Sequence, residues 1–448
     1  MPTAEDDETR RAAAGDAVTS TPGAAEPTPT GPPDTEQAVV TPLLTPADGV
    51  PAVVTTPEGL AEVAAAIAAG TGPVALDAER ASGFRYSGRA YLVQLRRAGA
   101  GSFLVDPIPL ADDMGPLAAA LDGPEWVLHA ASQDLPCLAE LGLAPRSLFD
   151  TELAGRLAGY ERVGLGPIVE RVLGLGLVKG HGAADWSTRP LPADWLTYAA
   201  LDVEVLLELR DAIAADLEAQ GKTRWAEQEF EHVRLAGPPT PKTDRWRRTS
   251  GIHKLRRPRQ LAAVRELWEQ RDRIAEARDI SPGRVLPDAA IADAAAQDPP
   301  DVASLTALRI FGGRAQRRQA ETWLGALARA RALPEDALPP QSPRHDGPPP
   351  VSRWADRDPA AHARLTAARA VVAAAGETHR VPVENLLLPD LLRRLCWEPP
   401  AGADGGPPDR AQVDAALAAG GARPWQRELL GDGLTAALAA RPAAPTSP

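Results

Sequence analysis

Residues 194–209 read DWLTYAALDVEVLLEL, inside a helical pattern expected over 193–219. Tyr198 and Asp202 are four apart, so a phenol and a carboxylate project from one helix face on adjacent turns. Asp202 lies in the apolar stripe with Leu201, Val205 and Leu209, where a lone acid needs a partner, and a metal ion is one. Glu204 and Glu208 nearby leave a solvated acidic face as the other reading.

Two earlier stretches supply further acids. PVALDA (73–78) reads as a strand that runs through Asp77-Ala78-Glu79, and period-two alternation puts both carboxylates on one face, within reach of one cation. In HAASQDLPCL (129–138) a strand carrying His129 stops and a helix begins near Ser132, which places Asp134 in its first turn. An acid there also simply stabilises the helix N-terminus. His129, at an apolar strand end, reads as a core histidine.

Around these stretches the patterns alternate. A helix is expected over 57–69, after Thr56 and with Pro57 in its first turn; strands are expected at 73–78, 91–95, 102–106 and 126–130. Helices are expected at 114–121, 133–142, 151–159 and 165–174. Three strands close together in sequence pair antiparallel and the fourth, beyond a helix, runs parallel, so the expectation is an α/β domain with a mixed sheet and flanking helices. Beyond 243 only helical periodicity is present, as in 261–279.

With 448 residues, 44% hydrophobic and 24% charged, the chain has globular composition and room for two to four domains. Residues 1–44 read as a disordered acidic tail, because they lack the bulky apolar residues that offset ordering entropy. Pro-rich breaks at 236–242 and 334–352 leave folded blocks at 45–235, 243–333 and 353–440, with a short tail at 441–448.

The net charge of −12 is unevenly spread. Residues 1–40 carry 8 acidic and 2 basic groups, and 41–235 carry 27 and 15, whereas 242–259 holds eight Lys or Arg against Asp244 alone. That run is a candidate electrostatic footprint for nucleic acid, with Arg309, Arg314, Arg317 and Arg318 as a second cluster; a solvated Arg-rich helix face is the other reading. Trp246 either stacks a base or anchors its domain. No run approaches 18 apolar residues, and the N-terminus is acidic, so membrane and secreted classes are not expected. Two distant cysteines, Cys137 and Cys396, fit a cytoplasmic protein without a zinc site.

The order DAE (77–79), HAASQDL (129–135), DWSTRPL (185–191) and YAALD (198–202) resembles the ribonuclease D branch of the DEDD exonucleases, in the subgroup with a tyrosine in its last motif. The resemblance covers 45–235. It implies a ribonuclease H-like fold, metal-binding acids at Asp77, Glu79, Asp134 and Asp202, and a catalytic tyrosine at Tyr198. It also implies that WRRTSGIHKLRRPRQLAAVRELWEQRDRIAEARDISPGRVLPD (246–288) belongs to an all-α HRDC domain, and ENLLLPDLLRRLCWEPP (384–400) resembles a second, diverged copy. The segment RASGFRYSGRAYLVQL (80–95) is more basic and Gly-rich than the family's usual version.

Four clustered carboxylates repel one another unless cations fill the site, and two divalent ions balance them. An all-oxygen donor set favours Mg²⁺ or Mn²⁺. The resemblance implies a two-metal 3′→5′ exoribonuclease that releases nucleoside 5′-monophosphates from tRNA precursors or other structured RNA with an unpaired 3′ end. Single-stranded DNA is the alternative substrate, and a catalytically silent binding protein the alternative class. Tyr198 reads as an orienter of the attacking water rather than a base. Lys179, Arg189, Arg247, Arg248, Lys254, Arg256 and Arg257 are the candidate nucleic-acid contacts, with His181 beside them. The helical blocks bind either nucleic acid or protein, and no obligate protein partner is implied.

Overall fold

The computed structural model describes residues 40–178, 180–237, 243–342, 347–402 and 406–441. Most of the expected acidic tail, Lys179, part of each Pro-rich break and the last seven residues lie outside the described residues. The strands are β1 (Thr41–Leu43), β2 (Val53–Val54), β3 (Thr71–Arg80), β4 (Ala90–Ala98), β5 (Gly101–Val105), β6 (Trp126–Leu128), β7 (Leu148–Asp150) and β8 (Leu175–Leu177). Six of them form one sheet in the order β2-β5-β4-β3-β6-β7, and β1 pairs with β8. β4 runs antiparallel to both β3 and β5, while β6 runs parallel to β3, so the sheet is mixed as expected.

Helix α1 (Pro57–Ala69) starts where the Thr56 hydroxyl accepts the Gly59 N–H at 3.2 Å and Pro57 fixes the first φ. Its Leu60, Val63 and Ile67 join Val74, Leu76, Val93, Leu95 and Val105 in the core, together with Leu117 and Leu121 of α2 (Gly115–Leu121). There follow α3 (Leu135–Glu140), α4 (Thr151–Ala158), α5 (Leu165–Leu173), α6 (Ala193–Glu204), α7 (Leu206–Ala219) and α8 (Thr223–Leu235). Helix α6 covers the opposite face of the sheet, where Leu92, Leu104, Ala199, Ala200 and Trp186 are fully buried together.

Some expectations need correction. The helix expected over 193–219 is two helices, because Val205 leaves the ladder at φ −95 and ψ −9. Thr41–Leu43, expected in the tail, is a strand paired with β8. Two- and three-residue strands such as β2, β7 and β8 carry too little alternation to be read from sequence.

The helical blocks comprise α9 (Pro258–Arg278), α10 (Pro282–Val285), α11 (Asp288–Gln297), α12 (Val302–Ala307), α13 (Arg314–Arg317) and α14 (Ala320–Ala332), then α15 (Trp354–Arg357), α16 (Pro359–His379), α17 (Val383–Leu386), α18 (Pro389–Trp397), α19 (Arg410–Ala419) and α20 (Pro424–Leu438). The first set has its own core around Val264, Leu267, Ile291, Phe311 and Trp323. The second repeats its beginning at a fixed displacement of 101 residues: 21-residue helices from Pro258 and Pro359, left-handed caps at Asp279 and Arg380, four-residue helices from Pro282 and Val383, and longer helices from Asp288 and Pro389.

Expected as a separate block, the last set instead shares the exonuclease-side core. Trp225 and Trp425 stack with centroids 4.7 Å apart, and buried Lys222 donates to Leu157 O and His379 O at 2.7 Å each. Glu229 accepts from Arg423 Nε at 2.6 Å and from Trp425 Nε1 at 2.8 Å. Replacing Glu229 by Ala strands a guanidinium and an indole N–H inside this junction. The expected result is a lower urea midpoint, equivalent to about 3 kcal/mol, and an unchanged midpoint would contradict it.

Candidate active site

Strand β3 delivers Asp77 and Glu79 to one face and α6 delivers Asp202 to meet them, so that one carboxylate oxygen of each lies within 4.8 Å of the others. Glu79 and Asp202 are each only 7% exposed. Asp134 stands just beyond that triad, with Arg80 Nη2 at 3.5 Å from its Oδ1. Its backbone is the N-cap of α3, yet its side chain caps nothing and is left to face the site.

The turn that carries Asp134 is held by a residue the sequence reading missed. Ala130 sits in the left-handed region at φ 60, and its N–H and that of Ala131 donate to the two carboxylate oxygens of Asp150, at 3.0 and 2.8 Å. The same carboxylate caps α4 through the N–H groups of Glu152 and Leu153. Burial nevertheless pushes the Asp150 carboxyl up to about 6. Only its place at the end of a short buried strand, before a helix start, could have signalled this role. His129, read as a core histidine, is half-buried: its Nδ1 pairs with Thr151 Oγ1 at 2.9 Å, and burial lowers its pKa to about 4.

Electrostatically the cluster is costly. Burial, then the charges of Asp77, Asp202 and Asp134, push Glu79 up to about 10. Burial and Asp77 push Asp134 to about 8, and Asp77 and Asp202 are raised for the same first reason. Cation binding would reverse this penalty, and an all-carboxylate donor set fits a hard divalent ion. Gln94, fully buried and opposite Asp77 in the β3–β4 register, has neither amide atom partnered. Cross-strand neighbours share a face, so this amide adds an unsatisfied polar group beside the acids.

Tyr198 is four residues before Asp202 on α6; burial, then the charges of Asp202 and Glu79, hold its proton on well above the usual range. His181, at φ 58, sets its ring 5.8 Å from those of Tyr198 and Trp195, with Nε2 3.4 Å from Asp194. Its carbonyl accepts the Trp186 indole N–H at 3.1 Å, so the 181–191 segment is folded down over α6.

Two candidate nucleic-acid contacts are corrected. Arg189 spends its donors inside the protein, on Asp106 Oδ2 at 2.6 Å and on the carbonyls of Trp186, Thr188 and Tyr91, so it staples the 185–191 segment to the sheet. Arg247 packs over the Trp246 ring at 4.3 Å and donates to Asp244 and Pro340 O. Trp246 is 4% exposed and anchors its domain rather than stacking a base. Arg248, Lys254, Arg256 and Arg257 are exposed, as are Arg309, Arg314, Arg317 and Arg318. Lys179 lies outside the described residues.

Residues 51–218 match the family model described as 3′-5′ exonuclease, residues 260–327 match the HRDC domain, and residues 347–438 match a 3′ to 5′ exonuclease C-terminal domain. Ribonuclease D of Gluconacetobacter diazotrophicus is 32% identical over 368 residues, covering 80% of this chain and 86% of that protein. Ribonuclease D of Escherichia coli is 30% identical over 342 residues, covering 75% and 86%. A crystal structure of a Bifidobacterium adolescentis protein superposes with a TM-score of 0.82 at 37% identity, covering 89% of this chain and 99% of that one. That of E. coli RNase D, an exoribonuclease involved in structured RNA processing, gives 0.62 at 27% identity, covering 87% and 98%. The chain therefore belongs to the ribonuclease D family, as a metal-dependent 3′-5′ exonuclease with an HRDC domain.

Proposed function

We propose that the chain shortens RNA from its 3′ end, using two Mg²⁺ or Mn²⁺ ions held by Asp77, Glu79, Asp134 and Asp202. The observation that carries this reading is the meeting of β3 and α6 acids within 4.8 Å in a buried setting. When bound, two such ions would supply a hydroxide at neutral pH and stabilise the leaving 3′ oxygen. The residues do the rest. Asp77, whose charge raises Glu79, Asp134 and Asp202 alike, would hold the ions together with those three carboxylates. Tyr198 keeps its proton and orients the attacking water by hydrogen bonding. Water adds to phosphorus, the 3′ oxygen departs with a proton, and a nucleoside 5′-monophosphate leaves.

Exposed Arg248, Lys254, Arg256 and Arg257 would hold the RNA body by its phosphates. The structured-RNA processing role of the E. coli relative supports structured RNA such as tRNA precursors as the substrate class. The family match over 51–218 supports an exonuclease domain over 45–235, and the 101-residue recurrence supports an HRDC domain over 243–333 with a diverged copy over 353–440. No described helix is long and apolar enough to cross a membrane, and both cysteines are unpaired and buried, which fits a reducing cytoplasm.

The test is a time course on a 5′-labelled RNA with an unpaired 3′ end and on its DNA counterpart, with Mg²⁺, Mn²⁺ or EDTA. The expected result is a metal-dependent ladder on RNA, lost in Asp77→Asn and Asp202→Asn while RNA binding persists, and slowed about a hundredfold in Tyr198→Phe. A ladder on DNA alone, or one that survives EDTA, would contradict the reading.

A pH dependence follows as well. Because Glu79 and Asp134 hold protons more tightly folded than unfolded, their stabilising contribution is complete below the unfolded carboxylate range. It is lost as pH rises through about 8 and about 10. The thermal midpoint of the metal-free chain should fall between about pH 6 and 9, and Mg²⁺ should flatten the slope. A midpoint that rises with pH would contradict this.

A further inference from the structure

The segment Ala81–Arg89 joins β3 to β4 and leaves the site directly after Glu79 and Arg80. With them, Ser82 and Gly83 face Gly182, Ala183 and Ala184 across a cavity of about 240 Å³. Internally the loop has little to hold it, chiefly the N–H groups of Phe84 and Arg85 on Ala81 O. Most of its remaining polar contacts reach the HRDC domain. Asp279 Oδ1 accepts the backbone N–H groups of Tyr86 at 3.2 Å and Ser87 at 2.8 Å, and Oδ2 accepts the Tyr91 hydroxyl at 3.4 Å. Tyr86 Oη donates to Asp272 at 3.1 Å, Ser281 N–H to Phe84 O at 2.9 Å, and Arg284 Nε to Gly83 O at 3.0 Å.

Four of these bonds go to loop backbone, so they fix its path whatever its side chains do. Arg284 also lies over the Phe84 ring at 4.1 Å, and Phe84 belongs to the packed cluster that holds Tyr198, Trp195 and Ala184. On the other side Arg85 Nε donates to Ser187 Oγ at 2.8 Å, tying the loop to the segment folded over α6. Asp279 itself occupies the left-handed region at φ 46 as the C-cap of α9, a conformation that Asp and Asn tolerate better than other side chains.

We propose that Asp279 is a positioning residue for the exonuclease reaction. Through it the HRDC domain clamps the 81–89 loop as one wall of the cleft that receives the RNA 3′ terminus. This rests on the exonuclease reading above and deepens it: the HRDC domain shapes the reacting end as well as holding the body of the RNA.

The experiment uses the full chain with Asp279→Ala, Asp279→Asn and Arg284→Ala, and measures single-turnover cleavage of a short oligoribonucleotide and a long RNA. Hydrogen exchange at the Tyr86 and Ser87 amides is followed in parallel. A wall displaced by even an ångström costs rate at the chemical step, so Asp279→Ala should slow both substrates by about tenfold or more. Arg284→Ala should act in the same direction, and the two loop amides should exchange faster. Asp279→Asn, which keeps an acceptor and the left-handed cap, should retain most of the rate. Wild-type rates in Asp279→Ala, a loss confined to the long RNA, or an equal loss in Asp279→Asn would overturn the proposal. A wild-type chain that leaves RNA intact would sink the exonuclease reading; amide exchange then decides the clamp, faster in Asp279→Ala supporting it and unchanged overturning it.

Discussion

The cost of taking four clustered acids out of water, with their mutual repulsion added to it, is the constraint around which this molecule is organised. Asp77, Glu79, Asp134 and Asp202 all have their carboxyls raised, burial being the first cause in each case. Water would relieve that cost if the groups could turn outward. They cannot, because three rigid pieces hold them: β3 in the middle of the sheet, the turn fixed by Asp150, and α6, whose Glu204 is anchored to Arg96 at 2.9 Å. The scaffold is thus arranged for a charge that Arg80 only partly offsets and that a divalent cation would neutralise.

Much of this was legible in sequence because the acids sit in strongly patterned stretches. Alternation through 73–79 and four-residue spacing in 194–209 dictate which side chains share a face, and the structure brings Asp77, Glu79 and Asp202 together accordingly. The Thr56-Pro57 start gave the observed bounds of α1. What sequence hid was tertiary. Arg189 and Arg247 looked like phosphate ligands because nothing local shows that Asp106, Tyr91 O or Pro340 O will claim their donors. Asp150 and Asp279 carried no local signal, since the N–H groups that place them come from residues about twenty and almost two hundred positions away.

The two helical modules begin alike and are used differently. In the first, the left-handed cap residue is Asp279, whose carboxylate reaches into the loop beside the site. In the second it is Arg380, whose backbone carbonyl would lie 2.7 Å from a Cβ at Gly159, so this close approach requires glycine there. The first module reaches the loop beside the site, while the second is joined to the exonuclease core through Trp225, Trp425 and Glu229.

The most direct measurement of the central claim is anomalous diffraction from crystals grown with Mn²⁺ and a nucleoside 5′-monophosphate. The expected result is two peaks about 4 Å apart, both within the cluster formed by Asp77, Glu79, Asp134 and Asp202. Absence of manganese from this cluster, or its presence only elsewhere on the surface, would contradict it.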